Sequence, residues 1–600
     1  RNPGQFDLAR AMRRQGIWIQ ALVRDAMDAE ILEHGRSWRI GMMGPALSQA
    51  IAAELRRGIE DRPQTHALIS SMVLGIHGDG LLEAKPAFRD TGTLHLFAVS
   101  GLNLTMLAGL LGLVLRGLRV GPAVAPWGVL PVLGAYAVAT GLGPSCIRAL
   151  VMSVIVVLVP WVNRPAVALN SIGAAAVFLL LWNSNTLFEA GFQLSFVLVL
   201  ALTLVAPRIG AFFERWAYPD ALLPRRLWSS FQERRVRYWR PFAAGIAASL
   251  TVWIASVPWS LTLFHQITPV ALIANLVAVP LAYVNLALGF VSLMLAPLGA
   301  VSPWLNRLNA SVAEGLYCFV DFASRVPGGH IPLASPWERR PEVLCFNFPG
   351  GGGVLLSSGD KACLVDCGSE TQARAVVLPA LRSFGMGRID ALLLSHGSAP
   401  YIGGAITIYE ALRPDLVLEG VLKDRSRSRR EFRQWLGARG KFPDVVRAGD
   451  RFGFGTEASL EILFPPDSSG GSLAQDKGLV LRWRAPGYSL LYTAAAGFPT
   501  ELWLLEHCPE KLRADVWIRG WHPREMTGTD DFVRSISPRV IVLMAPRIAN
   551  DPDGVERWVE RRRKEGISVF SQKRCGAVLG YGRGDGIEFR SYLGRESALW

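Results

Sequence analysis

One loop in the C-terminal half of the chain has the spacing of a metal-binding loop. Residues 392–404 read LLLSHGSAPYIGG, which is an apolar strand, a short loop with one histidine, and a Gly-Gly pair. A loop of this frame holds two metal ions when it reads His-x-(His/Asp)-x-Asp-His, because its ligands then share one turn. Here His396 stands in one ligand position, and Ser398, Pro400 and Tyr401 stand in the other three. Since proline and a phenol are poor ligands for a hard dication, the sequence argues against hydrolysis at this loop.

Short apolar strands surround this loop from about residue 341 to the end of the chain. Examples are VLCFNF at 343–348, KACLVDCG at 361–368 and ADVWIRG at 514–520. Helical stretches are predicted between the strands, at 371–384, 405–413, 500–507 and 551–565. Strands that alternate with helices in this way predict an αββα sandwich, in which two sheets are covered by helices.

A long apolar block precedes these strands and predicts a membrane protein with soluble flanks. Half of the 600 residues are apolar, and they are concentrated between about residues 91 and 325. A transmembrane helix needs about 20 apolar residues. On this basis the block predicts eight spans, near 94–115, 122–141, 147–162, 165–182, 187–206, 242–264, 269–296 and 301–322.

The arginines between the predicted spans indicate an orientation. Arg116 and Arg119 follow the first span, Arg164 follows the third, and the arginine-rich stretch 207–240 follows the fifth. If the spans alternate, these sites share one side, which the positive-inside rule makes cytoplasmic. Both soluble flanks are then predicted outside. The formal net charge of +14 has two interpretations, positive-inside bias or contact with a polyanion. Because the chain begins at Arg1 and has no signal peptide, we expect it to be a fragment.

Polar side chains inside the apolar spans form a second group of candidates, because each needs a partner or a water-filled path in hydrocarbon. Taken together they predict an aqueous path, although interhelical hydrogen bonding is an alternative for each one. Arg148 is the candidate for contact with a phosphate, and its alternative role is an ion pair with Glu189. The predicted path residues are Ser100, Asn103, Arg148, Gln193 and Asn275.

Several short motifs, in order, resemble those of the ComEC competence proteins, which pass one strand of incoming DNA across the bacterial inner membrane. The matching stretches are NPGQFDLARAMRRQGI at 2–17, GTLHLFAVSGLNL at 92–104, GPSCIRALVM at 143–152, GFQLSF at 191–196, NLVAVPL at 275–281, LVDCG at 364–368 and the loop at 392–404.

The resemblance implies a multidomain membrane protein. Residues 1–40 would be the C-terminal part of a small β-rich, OB-like extracytoplasmic domain, and 41–90 an amphipathic helical connector. Residues 91–325 would be an α-helical polytopic transmembrane channel domain of about eight spans. Residues 338–600 would be a degenerate metallo-β-lactamase-like domain of the αββα kind.

The family's metal-site positions are mostly changed in this sequence. NFPGGG at 347–352 replaces Asp-Val-Gly-Gln-Gly-Asp, Ala494-Ala495 replaces Gly-Asp, Trp521-His522 replaces His-His, and 550–552 lacks the histidine of Gly-His-Pro. In related folds the residue at Asp366 orients a loop and does not bind metal. The remnants therefore predict no catalytic residue and no metal, and zinc or manganese would be expected only if the degenerate site were functional. The remnant positions are Asp366, His396 and His522.

These observations predict an inner-membrane channel for uptake of single-stranded DNA in natural transformation, with a C-terminal pseudo-hydrolase domain on the extracytoplasmic side. The alternatives are a membrane-tethered metal-dependent nuclease that degrades the non-entering strand, and a membrane scaffold or transporter of another solute. Arginines of the pseudo-hydrolase are predicted to form a docking or DNA-guiding surface, and the alternative is a solvated loop. They are Arg425, Arg427, Arg429 and Arg430.

The predicted partners are single-stranded DNA, the lipid membrane, a separate DNA receptor and a separate cytoplasmic ATP-driven motor. The motor is expected to be another protein because no Gly-x-x-x-x-Gly-Lys-Ser/Thr phosphate loop occurs in the chain. The oligomeric state is left open by the sequence.

Overall fold

The chain contains two compact units in a computed structural model. The helical unit is Gly16–Ile331, and the β unit is Pro332–Trp600 together with Arg1–Gln15. The structure describes residues 2–5, 12–13, 40–76, 81, 84–97, 99, 101–121, 124–158, 167–218, 228–333, 339–348, 350–420, 426–455, 457–466, 478–520, 522, 527–544, 552–583, 586–594 and 597–599. The predicted division into an OB-like segment 1–40 and a connector 41–90 stays a prediction, because most of residues 1–39 lie outside these ranges.

The described part of the helical unit is almost entirely α-helical. Its helices are α1 Ile40–Arg56, α2 Pro63–Leu74, α3 Lys85–Asp90, α4 Gly101–Gly117, α5 Ala125–Ala139, α6 Pro144–Leu158, α7 Ala168–Trp182, α8 Ala190–Leu204, α9 Ala206–Glu214, α10 Ser230–Trp259, α11 Ala271–Met294 and α12 Val301–Ser324. Two very short strands, β1 Gln266–Ile267 and β2 Ile331–Pro332, pair with each other.

Each of the eight predicted spans overlaps one of these helices. Three helical segments among the described residues are long and apolar enough to cross a membrane, namely Ala190–Glu214, Ser230–Thr262 and Ala271–Met294. Four others are apolar but shorter, namely Asn103–Gly117, Ala125–Ala139, Ser145–Ile155 and Ala168–Trp182. Exposed side chains on the apolar helices, such as Leu181 and Trp182 at 83% and 82%, fit contact with lipid better than contact with water.

Helix α10 shows how one helix joins the arginine-rich stretch to the membrane. It begins with a capping box, in which the Ser229 hydroxyl accepts from the Gln232 backbone N–H and the Gln232 side chain accepts from the Ser229 N–H. This arrangement satisfies two N–H groups that the first helical turn leaves free. The helix then runs for 30 residues. Its charged first turns and its apolar remainder are therefore one continuous element.

Helices α1 and α2 precede the apolar block in sequence but contribute to its core. Leu55 and Met72 are fully buried in one cluster with Leu286 of α11 and Leu316 of α12. Helix α2 contacts both α11 and α12. The change of composition near residue 90 is therefore not a structural boundary, because the apolar side chains of α1 and α2 are buried within the helical unit.

The described strands of the β unit form two sheets. They are β3 Val343–Cys345, β4 Val354–Ser358, β5 Lys361–Val365, β6 Ala391–Leu394, β7 Leu416–Gly420, β8 Asp444–Val446, β9 Arg451–Phe454, β10 Ala458–Phe464, β11 Val480–Ala485, β12 Tyr488–Tyr492, β13 Val516–Arg519, β14 Val540–Leu543, β15 Ser568–Ser571, β16 Val578–Arg583, β17 Gly586–Ser591 and β18 Ser597–Leu599. The nine-stranded sheet has the order β18-β17-β16-β3-β4-β5-β6-β7-β8, and the seven-stranded sheet has the order β15-β14-β13-β12-β11-β10-β9.

The helices of the β unit lie between its strands in sequence. They are α13 Glu370–Gln372, continued by a π-helical turn at Ala373–Val377, α14 Leu378–Ser383, α15 Ala399–Ile402, α16 Ala405–Leu412, α17 Arg427–Gly437, α18 Phe498–His507, α19 Pro509–Leu512, α20 Asp530–Ile536, α21 Pro552–Lys564 and α22 Gln572–Cys575.

Three apolar layers show that the β unit is an αββα sandwich. The central layer joins the two sheets, with Leu393 of β6 and Leu460 of β10 both fully buried. A second layer packs the nine-stranded sheet against α14, α16 and α17, and a third packs the seven-stranded sheet against α18, α20 and α21. Full burial of one Leu or Phe side chain contributes about 1.5–3 kcal/mol. The predicted fold class, a helical membrane region followed by an αββα domain, is confirmed.

Parallel strand pairs near the centre of each sheet bring together the loops that carry Asp366 and the alanines at 494 and 495. Strands β5 and β6 are parallel, with Val365 opposite Leu393. Strands β12 and β13 are also parallel, with Tyr492 opposite Ile518. Because parallel strands end at the same edge of a sheet, the loops after these strands lie side by side.

Candidate functional site

Asp366, one of the three remnant positions, lies directly after β5. Its side chain is fully buried, and its φ of +57° turns the chain sharply at the end of the strand. One carboxylate oxygen accepts from the Ser395 N–H at 2.8 Å, and the other accepts from the Ser395 hydroxyl and from the Tyr492 hydroxyl, the latter at 3.0 Å. Both oxygens are therefore occupied by protein donors, and the carboxyl ties β5, β6 and β12 together.

Burial changes the protonation of this carboxyl. Removal from water raises the pKa of Asp366 from 3.8 to about 7, and the hydrogen bonds from Ser395 and Tyr492 oppose this rise only in part. The same burial and the nearby Asp366 carboxyl raise the pKa of Tyr492 well above its ordinary value. Asp366 is therefore about half protonated near pH 7, where a metal-binding carboxylate has to be charged.

His396 lies in a local turn next to Tyr401. Its side chain is buried, and its Nδ1 accepts from the Ser398 N–H at 3.1 Å and lies 2.8 Å from the Ser398 hydroxyl oxygen. The His396 and Tyr401 ring centroids are 5.1 Å apart. His396 Nδ1 therefore binds Ser398, which stands in the second ligand position of the motif.

Tyr401, in the fourth ligand position, fills space in this site. A Cβ atom at Gly352 would lie 2.5 Å from the Tyr401 ring and 2.9 Å from the Tyr492 hydroxyl. The glycine turn at 350–353 therefore packs directly on the two tyrosines. Carboxylate ligands in this turn would need space that the rings now occupy.

The remaining ligand positions are apolar or lie outside the described residues. Ala494 and Ala495, which stand where the family has Gly-Asp, are both buried. The Ala494 carbonyl approaches Gly520 so closely that a Cβ there would lie 1.4 Å away. His522 is buried, whereas Trp521 and residues 545–551 are outside the described ranges.

The donor set does not fit zinc or manganese. A catalytic zinc site has three protein ligands and one open position. Over the ranges that the structure describes, no group of three or more His, Cys, Asp and Glu side chains could hold a metal ion. Asp366 is saturated by hydroxyl and amide donors, and phenol and alanine side chains stand where ligands would be needed. We therefore derive no metal-dependent step for this site.

Of the arginines predicted to form one guiding surface, the three described ones differ in exposure. Arg427 is exposed and pairs with Glu431 at 2.6 Å, and Arg430 is also exposed. Arg429, in contrast, is buried and lies 3.8 Å from the buried Glu419. The prediction for Arg429 is wrong, because α17 is amphipathic and turns residues 429, 432 and 436 towards the sheet. Arg425 lies outside the described residues.

Two of the predicted path residues of the helical unit join neighbouring helices. The buried Asn103 side chain donates to the Met72 carbonyl at 3.0 Å and lies 3.4 Å from the Tyr136 hydroxyl. The Gln193 side chain donates to the Leu187 carbonyl and accepts from the Trp259 indole N–H, both at 3.0 Å. These contacts are compatible with the interhelical alternative, and the assignment of both residues to a path stays a prediction.

Of the other three predicted path residues, two are described by the structure, and both have a buried polar atom without a hydrogen-bond partner among the described residues. Ser100 lies outside the described residues. The Asn275 side-chain oxygen is buried and has no hydrogen-bond partner among the described residues. Arg148 is only 3% exposed, and its Nη2 donates to the Ser145 hydroxyl at 2.7 Å. Its Nε has no partner in the described part of the chain, and no ion pair there joins it to Glu189.

A polar seam between α11 and α12 was missed by sequence reasoning. The Ser292 hydroxyl donates to the Asn306 side chain at 2.7 Å, and the Ser302 hydroxyl donates to Glu54 of α1 at 2.6 Å. Asn306 also donates to the Glu54 carbonyl at 2.8 Å. Spacings of three and four residues put 302, 306 and 309 on one helix face. That spacing is a signal in the sequence, but its meaning depends on the facing helix.

Comparisons with known proteins show which proteins the chain is similar to. The profile of the Competence family, described as "Competence protein", matches residues 72–344. ComE operon protein 3 of Bacillus subtilis (strain 168) is 22% identical over 592 residues, which cover 86% of this chain and 71% of that protein. Competence protein ComA of Neisseria gonorrhoeae is 25% identical over 543 residues, which cover 83% and 72%.

Two solved structures are also similar to part of the chain. The metallo-β-lactamase fold protein YhfI of Bacillus subtilis is 16% identical, with a TM-score of 0.27, and the match covers 39% of this chain and 96% of that one. MEM-A1, a subclass B3 metallo-β-lactamase from a soil metagenome library, is 16% identical, with a TM-score of 0.22, and the match covers 39% and 87%. The chain therefore contains a region that matches the Competence family at 72–344 and is similar to competence proteins along most of its length, as its motifs indicate.

Proposed function

We propose that this chain is a membrane channel that passes a single strand of DNA into a bacterium during natural transformation. The relatives that it matches along most of their length include a protein named for competence. The apolar helices supply a membrane-embedded body. The proposal places this body in the inner membrane, with the β unit and the N-terminal flank on the extracytoplasmic side, as the arginines between the spans favour.

The observation that carries the proposal is the buried guanidinium of Arg148. An ionised group that leaves water loses several kcal/mol of solvation unless a counter-charge replaces it. Arg148 has a neutral hydroxyl as its only hydrogen-bond partner in the described residues, and its Nε–H is unsatisfied. The Glu189 carboxylate acts on Arg148 from beyond ion-pair distance, and a phosphate that passes this point would supply a counter-charge in direct contact.

The surrounding helices favour an anion at the same place. Helix α4 begins at Gly101, and Arg148 lies in the first turns of α6. A Cβ at Gly101 would lie only 3.4 Å from Ala149, so the N-terminal end of α4 adjoins the first turns of α6. Helix N-termini carry partial positive charge and free N–H groups, which attract phosphate oxygens. The N-terminal ends of α4 and α6 and the Arg148 guanidinium therefore all attract a negatively charged group to this place.

The β unit is proposed to dock or guide the DNA and not to hydrolyse it. Its site has tyrosines and alanines in ligand positions, and its one central carboxyl is saturated by protein donors. A separate receptor and a separate ATP-driven motor complete the proposed system, because the chain has no phosphate loop.

Deletion of the gene, followed by measurement of transformation frequency, is the first test. Loss of transformation is expected, whereas normal transformation would favour a scaffold or a transporter of another solute. Next, R148A in the complemented strain is expected to lower transformation roughly 10- to 100-fold, since a hydrogen bond to a charged group contributes about 1.5–3 kcal/mol. R148K should retain part of the activity because it keeps the charge.

The matched control is R116A, which removes an exposed arginine from the end of α4. It should leave transformation unchanged at equal protein levels in the membrane. If R148A and R116A transform equally well, Arg148 has no role in the path.

A further inference from the structure

A β-hairpin at one end of the nine-stranded sheet carries charged and aromatic side chains on a single face. Strands β16 and β17 pair so that Tyr581 lies opposite Glu588 and Leu579 lies opposite Arg590. Ile587 and Phe589, which alternate with them, are buried between the two sheets. The residues at 588 and 590 therefore face outward, and Tyr592 follows directly after β17. We call this set of outward residues the hairpin face.

An open cavity of about 360 Å³ lies on the hairpin face. Its lining includes Pro3 and Arg339 together with the hairpin residues. Asn2 holds the neighbouring Pro3 side of the cavity in place, because its side chain accepts from the Asn347 N–H at 2.7 Å and donates to the Asn347 carbonyl at 3.2 Å. A volume near the lower end of the small-molecule range fits one nucleotide-sized unit.

The charges of the cavity favour an anion. Glu588 accepts from Arg590 at 2.6 Å and lies 3.4 Å from Arg583, so one carboxylate serves two guanidinium groups. Arg339, which lines the cavity and is exposed, adds a further positive charge and interacts with the nearby Glu342 carboxylate, so that these three arginines and two glutamates leave one net positive charge. The side chains of Arg590 and Arg583 remain 59% and 64% exposed in spite of their pairing. A phosphate can therefore reach the free edges of these guanidinium groups.

Two tyrosines supply flat surfaces next to these charges. Tyr592 is 39% exposed, and Tyr581 is half-buried on the same face. Binding of single-stranded nucleic acid combines a positive surface for the backbone with aromatic side chains on which bases stack. The hairpin face has both parts within one nucleotide-sized cavity.

We propose that the hairpin face binds single-stranded DNA, with Arg339 and Arg590 at the phosphates and Tyr592 stacked on a base. This inference rests on the proposed function for the identity of the ligand. It assigns the β unit a contact with the strand that lies outside the degenerate metal site.

The test is binding of a fluorescent oligo-dT and of an abasic oligomer of equal length to the full chain in detergent micelles. The wild type should bind oligo-dT more tightly than the abasic strand. Y592A should weaken oligo-dT binding roughly 5- to 150-fold, because one stacked base is lost, and should leave abasic binding unchanged. Y592F should bind like the wild type, since the ring remains.

Arg339 and Arg590 should contribute equally to binding of oligo-dT and of the abasic strand, because both strands carry phosphates. R339A and R590A are each expected to weaken binding of both strands and to reduce the slope of log K against log salt by about 0.7. R451A is the matched control for R590A, because Arg451 is 61% exposed and pairs with a glutamate on the other sheet. It should leave both the affinity and the slope unchanged.

The outcomes separate this inference from the proposed function. If the wild type binds oligo-dT and Y592A, R339A and R590A all bind it equally well, the hairpin face is not the site, and the channel proposal stands. If the wild type binds neither strand, the channel proposal itself fails together with this one. If the variants instead lose binding to anionic vesicles and keep oligo-dT binding, the face contacts lipid and the inference is overturned.

Discussion

Asp366 is a remnant that now serves the fold at the scale of single residues. The family position persists because its carboxyl joins three strands through Ser395 and Tyr492, and this role needs no metal. Tyr492 and Tyr401 pack over the glycine turn that would otherwise carry ligands. The hydrogen-bonded carboxyl and the two tyrosines therefore occupy the space in which metal ligands would have to lie.

The raised pKa of Asp366 predicts that the β unit loses stability as the pH rises. The group has a pKa of 3.8 when unfolded and about 7 when folded, so the folded state binds more protons between these values. The free energy of unfolding should therefore fall from about pH 4 to pH 7 and level off above pH 7, by up to roughly 4 kcal/mol. The measurement is the thermal transition of the chain at each pH, followed by tryptophan fluorescence.

The control variant for this pH dependence is D366N, which keeps the size of the side chain and removes its titration. Its transition should vary less between pH 5 and pH 8 than that of the wild type. An equal pH dependence in both proteins would show that another group is responsible.

The polar seam of α11 and α12 is the decisive feature at the scale of elements. Its contacts join the consecutive helices α11 and α12 to α1, which lies more than 200 residues earlier in the chain, since Glu54 of α1 meets Ser302 and Asn306 of α12. In a membrane, apolar faces cannot distinguish a neighbouring helix from lipid, so interhelical hydrogen bonds help to choose the partner. The seam therefore explains why α1 belongs to the helical unit.

Removal of the central amide of the seam should loosen these helices. N306A leaves the Glu54 and Arg57 carbonyls and the Ser292 hydroxyl without their donor or acceptor, and the expected cost is about 1–3 kcal/mol. The measurement is the thermal midpoint of the full chain in detergent. S311A, on the exposed face of the same helix, is the control and should melt like the wild type. Equal melting of N306A and the wild type would refute a stabilising seam.

At the scale of the whole molecule, the proposed function depends on which side of the membrane the β unit and the arginine-rich part of α10 lie. The proposed orientation puts the β unit on the extracytoplasmic side and the N-terminal part of α10, which is rich in arginine, on the cytoplasmic side. Arg427 of α17 and Arg234 of α10 are exposed and report on these two regions. Either position accepts a cysteine without loss of a buried contact.

Cysteine labelling in intact spheroplasts tests this orientation. R427C should react with a membrane-impermeant maleimide in intact spheroplasts, whereas R234C should react only after permeabilisation. The background for both is C318S/C508S, because these two native cysteines are not fully buried. Protection of R427C in intact spheroplasts would reverse the proposed topology.

Sequence alone was sufficient wherever the information is local. The spacing of apolar residues predicted a helix in each of the eight spans, and the alternation of strands and helices predicted the αββα sandwich. The replacement of ligands by Pro400, Tyr401 and Ala495 is visible in the sequence, because each ligand type belongs to a fixed place in a short motif. The ordered motifs also led to the family, since their order and intervals need no three-dimensional information.

Tertiary structure decided what depends on the partner of a residue. Only the packing shows that Tyr492 donates to Asp366 across 126 residues, that Arg429 turns inward, and that Asn306 meets Glu54. It also shows that α1 and α2 lie in the helical core, although the composition changes after them. The physical reason is that a side chain's spacing sets its face on a helix or strand, whereas its charge state, burial and role are set by the distant element that this face meets.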